Sequence, residues 1–493
     1  MTKTNKINRH PGWRLSRSEK NWYYLGDSAR LFCTALINTY MTTFLIFQGV
    51  NMASLAGAIL IVKIIDSVDD VLFGFIIDKI DITKGKLFSK IAGKGKYMPW
   101  YRLFFWTFPV ATILFFMMPK DSSDFVKIIW FLVTYLLFDF TCTLTEVPMQ
   151  SMITTLTDNP SERNSILTVK GVISIVAAVG YAIIVTALMS ESVGIPLKTI
   201  AITSSLIFLV FMVPMVFKVR EHNMELKNVE EEGTQEKYSF KDMLRCVTTN
   251  KYILVYFLSV IISTIFGTRA AVESFLGFYI FHDSMVFSYV MLIGFVPGII
   301  LSMFCGKFAD RFGKRNLLAL IYMLIMAASL IIYFFGRDSK VFFIVVGGLC
   351  AIPNALIAVV KNYIAPDTIE YTRYKTGKDC SGIFYALQSF VNKAFGGVVG
   401  SVTLYVLAVF GWKEVQGESF ADLAAQGVTQ SETALNALWS LGYLIPAIGF
   451  GIAAVLLYIF YNLKDSDAEL MAKCNAGTIT REECEAQLSR KYS

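Results

Sequence analysis

The chain has 493 residues, 55% of them hydrophobic and 17% charged, with a mean hydropathy of +0.54. Soluble domains carry about 25% charged residues, so this composition excludes a soluble enzyme, a nucleic-acid binder and a disordered scaffold. The net charge is +7, an excess that matters by location, because Lys and Arg gather on the cytoplasmic side of membrane proteins.

At about 20 apolar residues per span, the length accommodates roughly twelve membrane-crossing helices. Residues 1–24 are basic and polar, without an apolar core or small-residue cleavage site. They read as a cytoplasmic segment rather than a leader. Apolar runs of spanning length follow at 25–48, 52–79, 99–118, 125–157, 164–188 and 197–218, then at 250–279, 285–306, 316–335, 341–364, 380–411 and 433–463. The charged stretch 219–249 divides them six and six, the sign of a duplicated bundle. The predicted fold is therefore all-α integral membrane. A six-helix bundle spans 25–218, a cytoplasmic loop 219–249, a second bundle 250–463 and a cytoplasmic tail 464–493.

Basic residues crowd the N-terminus, 79–102, the central loop, 307–315, 361–378 and the tail, whereas the alternate loops carry few, such as Lys120 and Lys198. This alternation places both termini in the cytoplasm. The loops 78–100 and 306–316 each join an acidic residue at a helix end to a Gly-Lys/Arg turn, a pattern that predicts a charged latch. The eight cysteines are scattered without a CxxC and read as small buried hydrophobes. His10, His222 and His282 are too dispersed to suggest a metal centre.

An ionisable residue at membrane depth costs about 2.5–3.5 kcal/mol on the lenient insertion scale, so each needs a partner or a task. The second run carries Lys63, Asp66, Asp69 and Asp70. Three carboxylates around one helix offer an oxygen-rich site for a small cation, and their mutual repulsion suits a proton carrier. In the fourth run, Asp139, Thr143, Glu146 and Gln150 follow at spacings that share one helical face, with Pro148 withholding a backbone donor among them. Arg30, Lys170 and Lys393 supply cations from the first, fifth and eleventh runs. Carboxylates and cations drawn from both bundles are what an alternating-access carrier uses to hold its cargo. Around Lys393, Gly396, Gly397 and Gly400 predict close helix packing.

Four segments carry a family resemblance: DSVDDVLFGFIID, GKYMPW, TLTEVPMQSM and APDTIEYTRYKTGKDCSGIFYALQSFVNKAFGG. Over roughly residues 20–465 the chain resembles the glycoside–pentoside–hexuronide:cation symporters of the major facilitator superfamily, whose best-known member is the melibiose permease. The resemblance implies the major facilitator fold and cation-coupled sugar uptake across the cell membrane. It implies a cation site at Asp66, Asp69, Asp70 and Thr143, with Na⁺ held at Asp66 and Asp70 if sodium is the ion. It implies solute binding by Arg30, Glu146, Gln150, Lys170 and Lys393, with Glu146 linking the two sites.

Two departures stand out. Leu31 replaces an acidic sugar ligand of the melibiose permease, and Gln150 replaces a tryptophan. With three cations facing Glu146, they lean the expectation away from melibiose and toward an anionic sugar. Asp69, where that permease has asparagine, leans the coupling ion toward H⁺. The expected function is cation-coupled (H⁺ or Na⁺) symport of a glycoside, pentoside or hexuronide, with no cofactor beyond the ion. The alternative is a sodium-coupled carrier of a lipid-like or other organic anion. The expected partners are a small sugar and the lipid bilayer, with no nucleic acid and a monomer as the functional unit. Neither a metal-ligand cluster, a nucleophile motif nor a nucleotide loop supports an enzyme.

Overall fold

The computed structural model describes residues 13–79, 82, 95–157, 159–222, 250–377, 381–490 and 492. It gives no side-chain placement for 67–72, 74–76, 78, 79, 154, 160, 358, 381–383, 385 and 386. The chain forms two compact units, Met1–Gln235 with Lys413–Val428, and Glu236–Trp412 with Thr429–Ser493.

In the first unit, α1 (Arg17–Phe47) begins upstream of the predicted residue 25, because Ser16 and Glu19 form a capping box there. Next come α2 (Met52–Lys79), α3 (Met98–Phe104), α4 (Thr107–Phe116) and α5 (Asp124–Leu156). The start of α3 is held by one carboxylate: Lys96, Tyr97 and Met98 donate their amides to Glu221 at 3.1, 2.9 and 2.6 Å. This satisfies donors that a helix start leaves open. α5 continues through Pro148 without breaking. Asn159 caps α6 (Pro160–Ile175), which passes through a π-helical turn at Val176–Gly180 into α7 (Tyr181–Met189). α8 (Leu197–Lys218) packs along α1, where Gly26 leaves room for Met215.

The segment 413–428 packs on this unit although it follows most of the second unit in the chain. Gly417 donates to the Phe47 carbonyl at 3.0 Å, and Leu197 donates to the Glu418 carbonyl at 2.8 Å. The Asn51 amide donates to Glu414 at 2.9 Å. The fully buried Phe420 meets Phe47 edge-on.

In the second unit the run predicted as one span at 250–279 is two helices, α9 (Lys251–Ile265) and α10 (Arg269–Phe281), separated at 266–268. Then come α11 (Val286–Ser302), a 63° bend, α12 (Cys305–Phe312), α13 (Lys314–Phe335), α14 (Lys340–Thr376) and α15 (Ser381–Val409). After the short α16 (Phe420–Gln426, within the first unit), α17 (Glu432–Trp439) leads through a π-helical turn at Ser440–Leu444 into α18 (Ile445–Phe460). α19 (Asp465–Asn475) and α20 (Arg481–Gln487) close the described chain.

Two predicted loops are therefore helical. The stretch 361–376 belongs to α14, which ends at Gly377 in the left-handed conformation at φ 71. The start of 306–316 belongs to α12. Hydropathy marks the length that is apolar, not the length that is helical. The predicted tail is also folded in part, for Met471 and Cys484 are fully buried in the core of the second unit.

Among the described residues nine helices are long and apolar enough to cross a membrane, or ten if the bent α11–α12 pair counts. The molecule is apolar outside: Val133, Val210, Phe217, Met303 and Phe334 are each more than 60% exposed. Helices approach closely where side chains are small. A Cβ on Gly294 would lie 2.5 Å from that of Ala351, which brings α11 onto α14. The glycine packing predicted beside Lys393 is not observed at Gly396, where an added Cβ would meet nothing within 4 Å.

Of the two predicted latches, most of 78–100 lies outside the described residues, as does 223–249 of the central loop. In the other, the cations reach across to different elements. Lys314 pairs with Asp367 at 2.6 Å and its amide donates to Asp465 at 2.8 Å, while Arg315 donates to the Tyr461 carbonyl at 3.0 Å. Five of the six cysteines described as free, Cys33, Cys142, Cys305, Cys350 and Cys484, are buried.

Candidate functional site

The first unit places charge inside an apolar shell along one face of α5. Gln150 donates to Glu146 Oε1 at 2.8 Å, so the predicted four-residue spacing does bring the two side chains together. Asp139 and Thr143 are buried on the same helix.

Arg30 of α1 is the largest fully buried side chain among the described residues. Its Nη1 donates to Glu146 Oε2 at 3.2 Å, and its Nε and Nη2 both donate to Asp27 Oδ1 at 3.2 Å. Lys170 of α6 reaches the other oxygen of Asp27, 3.6 Å away. Asp27 is almost wholly buried, whereas the Glu146 side chain is 36% exposed. The result is an alternating chain, Lys170–Asp27–Arg30–Glu146–Gln150, with two cations and two carboxylates. The inner members orient the outer ones, and Glu146 and Gln150 keep part of their surface exposed.

Asp27 is the residue that sequence reading missed. Its signal was available: Asp27 precedes Arg30 by three residues inside the first apolar run, 25–48. It also revises the charge argument. The site is not an excess of cations facing one carboxylate, because Asp27 neutralises one of them. A carboxylate stands beside Arg30 even though Leu31 does not supply it.

The second cluster on α5 lies at Tyr135, about one helical turn before Asp139. Asp66 of α2 is buried, and its Oδ2 accepts from Lys63 Nζ at 3.0 Å and from the Tyr135 hydroxyl at 3.2 Å. Lys63 also donates to the Tyr135 hydroxyl and sits over that ring, 4.8 Å from its centroid. Tyr135 was not predicted, and it ties the α2 carboxylate to α5. Asp69 and Asp70 lie in α2, but their side chains are outside those described, so the triple carboxylate is represented here by Asp66. Among the described residues no group of three His, Cys, Asp or Glu is placed to hold a metal ion.

Tyr135 and Glu146 are eleven residues apart on one continuous helix, roughly 16 Å at 1.5 Å per residue. α5 is thus a common wall for the Asp66 and Arg30–Glu146 clusters. Lys393, the remaining predicted ligand, is half-buried in α15 of the second unit.

With this geometry in view, known proteins give a consistent comparison. The family model for MFS/sugar transport proteins matches residues 22–465. The isoprimeverose transporter of Lactiplantibacillus pentosus is 25% identical over 92% of this chain and 90% of its own length. The glucuronide carrier protein homolog of Escherichia coli (strain K12) is 24% identical over 90% of this chain and 92% of its own. Among solved structures, the nucleoside transporter NupG superposes with a TM-score of 0.60 at 13% identity, covering 90% of this chain and all of NupG. That last likeness is one of fold.

Proposed function

The chain belongs to the MFS/sugar transport protein family, a family of membrane transporters rather than enzymes, and we propose that it imports a sugar or glycoside by cation-coupled alternating access. In this reading twelve helices cross the cell membrane with both termini in the cytoplasm, and the two units correspond to the two six-helix bundles predicted from the sequence. Asp66, with Asp69, Asp70 and Thr143, takes the coupling ion, Na⁺ or H⁺. Arg30, Glu146, Gln150, Lys170 and Lys393 bind the solute, and Asp27 holds Arg30 and Lys170 in place.

The observation that carries the reading is the charge-balanced Lys170–Asp27–Arg30–Glu146 chain, joined through α5 to the Asp66–Tyr135 cluster. Within the first unit, balanced charge with Glu146 and Gln150 partly exposed suits the hydroxyl groups of an uncharged sugar better than an anion. That supports a neutral glycoside, in keeping with the solute in the name of the L. pentosus relative. Because Asp66 is already held by Lys63 and Tyr135, an arriving cation would have to displace Lys63, a step that α5 is placed to transmit toward Glu146. Coupling of this kind is reciprocal: each ligand raises the affinity of the other by the same factor.

The test is uptake into energised vesicles holding the full chain, with glycosides, uronides and lysolipids as solutes and Na⁺ and pH varied separately. Saturable accumulation of a neutral glycoside that collapses when the cation gradient is removed supports the proposal. Uptake of lysolipid with no sugar uptake rejects it in favour of a lipid-anion carrier.

A further inference from the structure

The second unit contains a buried charged pair that the proposed site does not use. The stretch Lys251–Phe281 is long and apolar enough to form one membrane span, yet its helix stops at Ile265 and restarts at Arg269. Arg269 stands twelve residues from the end of that span, roughly 18 Å along a helix, and so near the middle of a hydrocarbon layer about 30 Å thick. An arginine at that depth is among the costliest residues to retain.

Its surroundings are specific. Arg269 Nε donates to Glu273 Oε1 at 2.8 Å, one turn along α10. The guanidinium carbon lies 5.4 Å from the ring centre of Tyr443 and 5.9 Å from that of Phe287. Tyr443 is itself in the π-helical turn Ser440–Leu444. The break and the turn are bonded to each other, since the Thr268 hydroxyl donates to the Leu441 carbonyl at 2.5 Å. They are also packed tightly, since a Cβ on Gly442 would come within 2.6 Å of Leu276. Two departures from regular helix therefore face one another at mid-membrane. π turns and broken spans recur where membrane proteins bind their cargo.

Two polar atoms there have no hydrogen-bond partner among the described residues: Arg269 Nη2 and the Tyr443 hydroxyl, both fully buried. Leaving a buried donor unmade costs about 1–3 kcal/mol, more for a charged group. The side chains of Arg269 and Glu273 keep 17% and 11% of their surface exposed, so the pair is not sealed from a ligand. The pair is neutral overall and offers donors beside an acceptor.

We propose that Arg269, Glu273 and Tyr443 form a second polar site, carried wholly by the second unit, that binds hydroxyl groups of an uncharged sugar. The proposal rests on the sugar-transport reading above and adds residues that neither the sequence motifs nor the family resemblance assigned. Glu273 fixes the guanidinium through Nε and accepts from one sugar hydroxyl. Arg269 Nη2 and the Tyr443 hydroxyl donate to neighbouring sugar oxygens once the site opens enough to admit them. The guanidinium, beside the rings of Tyr443 and Phe287, gives the sugar a planar edge to lie against.

The experiment uses the purified full chain in detergent. Titration calorimetry and thermal melting are run with isoprimeverose, methyl β-D-xyloside, methyl β-D-glucoside and glucuronate, and with monodeoxy forms of whichever binds tightest. Tyr443→Phe removes only a hydroxyl with no bond to lose, so the ligand-free melting temperature should hold or rise. Sugar affinity should fall about tenfold. One deoxy analogue, already weak on the wild type, should bind Tyr443→Phe no more weakly still. Glu273→Gln should weaken the same sugar and leave the deoxy pattern displaced to a different hydroxyl. Wild-type affinity within twofold in both variants overturns the second site while leaving the sugar reading intact. If no member of the panel binds or stabilises the wild type, the sugar reading falls and this site falls with it.

Discussion

The buried charges of the two units are arranged differently. In the first unit Arg30 spends its donors on two carboxylates, and Lys170 adds a second cation to the shared Asp27. In the second unit Arg269 has one carboxylate partner, and one of its donors is left without a bond among the described residues. The first arrangement sits on regular helices and the second on a break facing a π turn. The first cluster is not fully bonded either, since Asp27 Oδ2 has only the 3.6 Å ion pair with Lys170, but its guanidinium is held from two sides and so is the more rigid of the two. A partly bonded guanidinium is costly by itself and becomes favourable only when something supplies the missing acceptor. The comparison suggests a division of labour, with one unit presenting a guanidinium already held by two carboxylates and the other a guanidinium with a donor left to fill.

The largest expected effect comes from Arg30→Ala. It leaves Asp27 buried beside Lys170 alone, and stripping one partner from a buried pair costs about 3–5 kcal/mol. Thermal melting should show a large drop, partly restored by adding Asp27→Asn. If Tyr443→Phe is as destabilising as Arg30→Ala, the contrast between the units is wrong.

A second test concerns Asp66. Asp66→Asn should abolish accumulation against a gradient while leaving solute exchange at equal concentrations, read by counterflow in vesicles. Wild-type accumulation would remove Asp66 from the coupling machinery and leave its bonds to Lys63 and Tyr135 structural.

Packing gives a smaller effect. Gly442→Ala would push a methyl group against Leu276 and should cost about 1–3 kcal/mol, as overpacking does. Gly396→Ala, with open space around it, should be neutral or stabilise by up to about 1 kcal/mol through helix propensity. Equal melting temperatures for the two variants would deny that the break and the π turn are tightly fitted.

The smallest effect lies outside the membrane-spanning segments. Burial pushes the Asp467 carboxyl up, but hydrogen bonds from the Ser489 hydroxyl, the Tyr492 phenol and the Ser489 amide outweigh it and hold it below the usual carboxylate range. Its contribution to docking the tail is therefore complete above the ordinary carboxylate pKa and is lost as pH falls through the lowered folded value. Limited proteolysis of the tail should be constant from pH 5 to 8 and accelerate only in strong acid. Asp467→Asn should remove the acid dependence.

Much of the helix count was legible because apolar length is written directly in composition. The α5 face was legible because helical spacing alone aligns Glu146 with Gln150. Asp27 was legible only in part: its spacing to Arg30 was in the sequence, but its link to Lys170, more than a hundred residues away, is reported by no local pattern. The break before Arg269 was hidden for another reason. Phe266 and Thr268 are compatible with a membrane helix, and Gly267 alone is a weak breaker, so a hydropathy window passes over them. Arg269 and Glu273 lie inside the predicted span 250–279, but no residue pattern around them singled them out. The long polar extension of α14 was missed because charged residues continue a helix as readily as they end a span.

The segment 413–428 has a consequence for biosynthesis. The first unit consists of residues up to Gln235 together with this later segment, so it cannot be complete when its own helices have left the ribosome. At 5–20 residues per second, the interval from Gln235 to Val428 takes roughly 10–40 s to make. During that time the backbone of Phe47 and the amide of Leu197 lack the partners that Gly417 and Glu418 later provide. The earliest-made unit is thus finished among the last, and its final closure reports that nearly the whole chain has been synthesised and inserted.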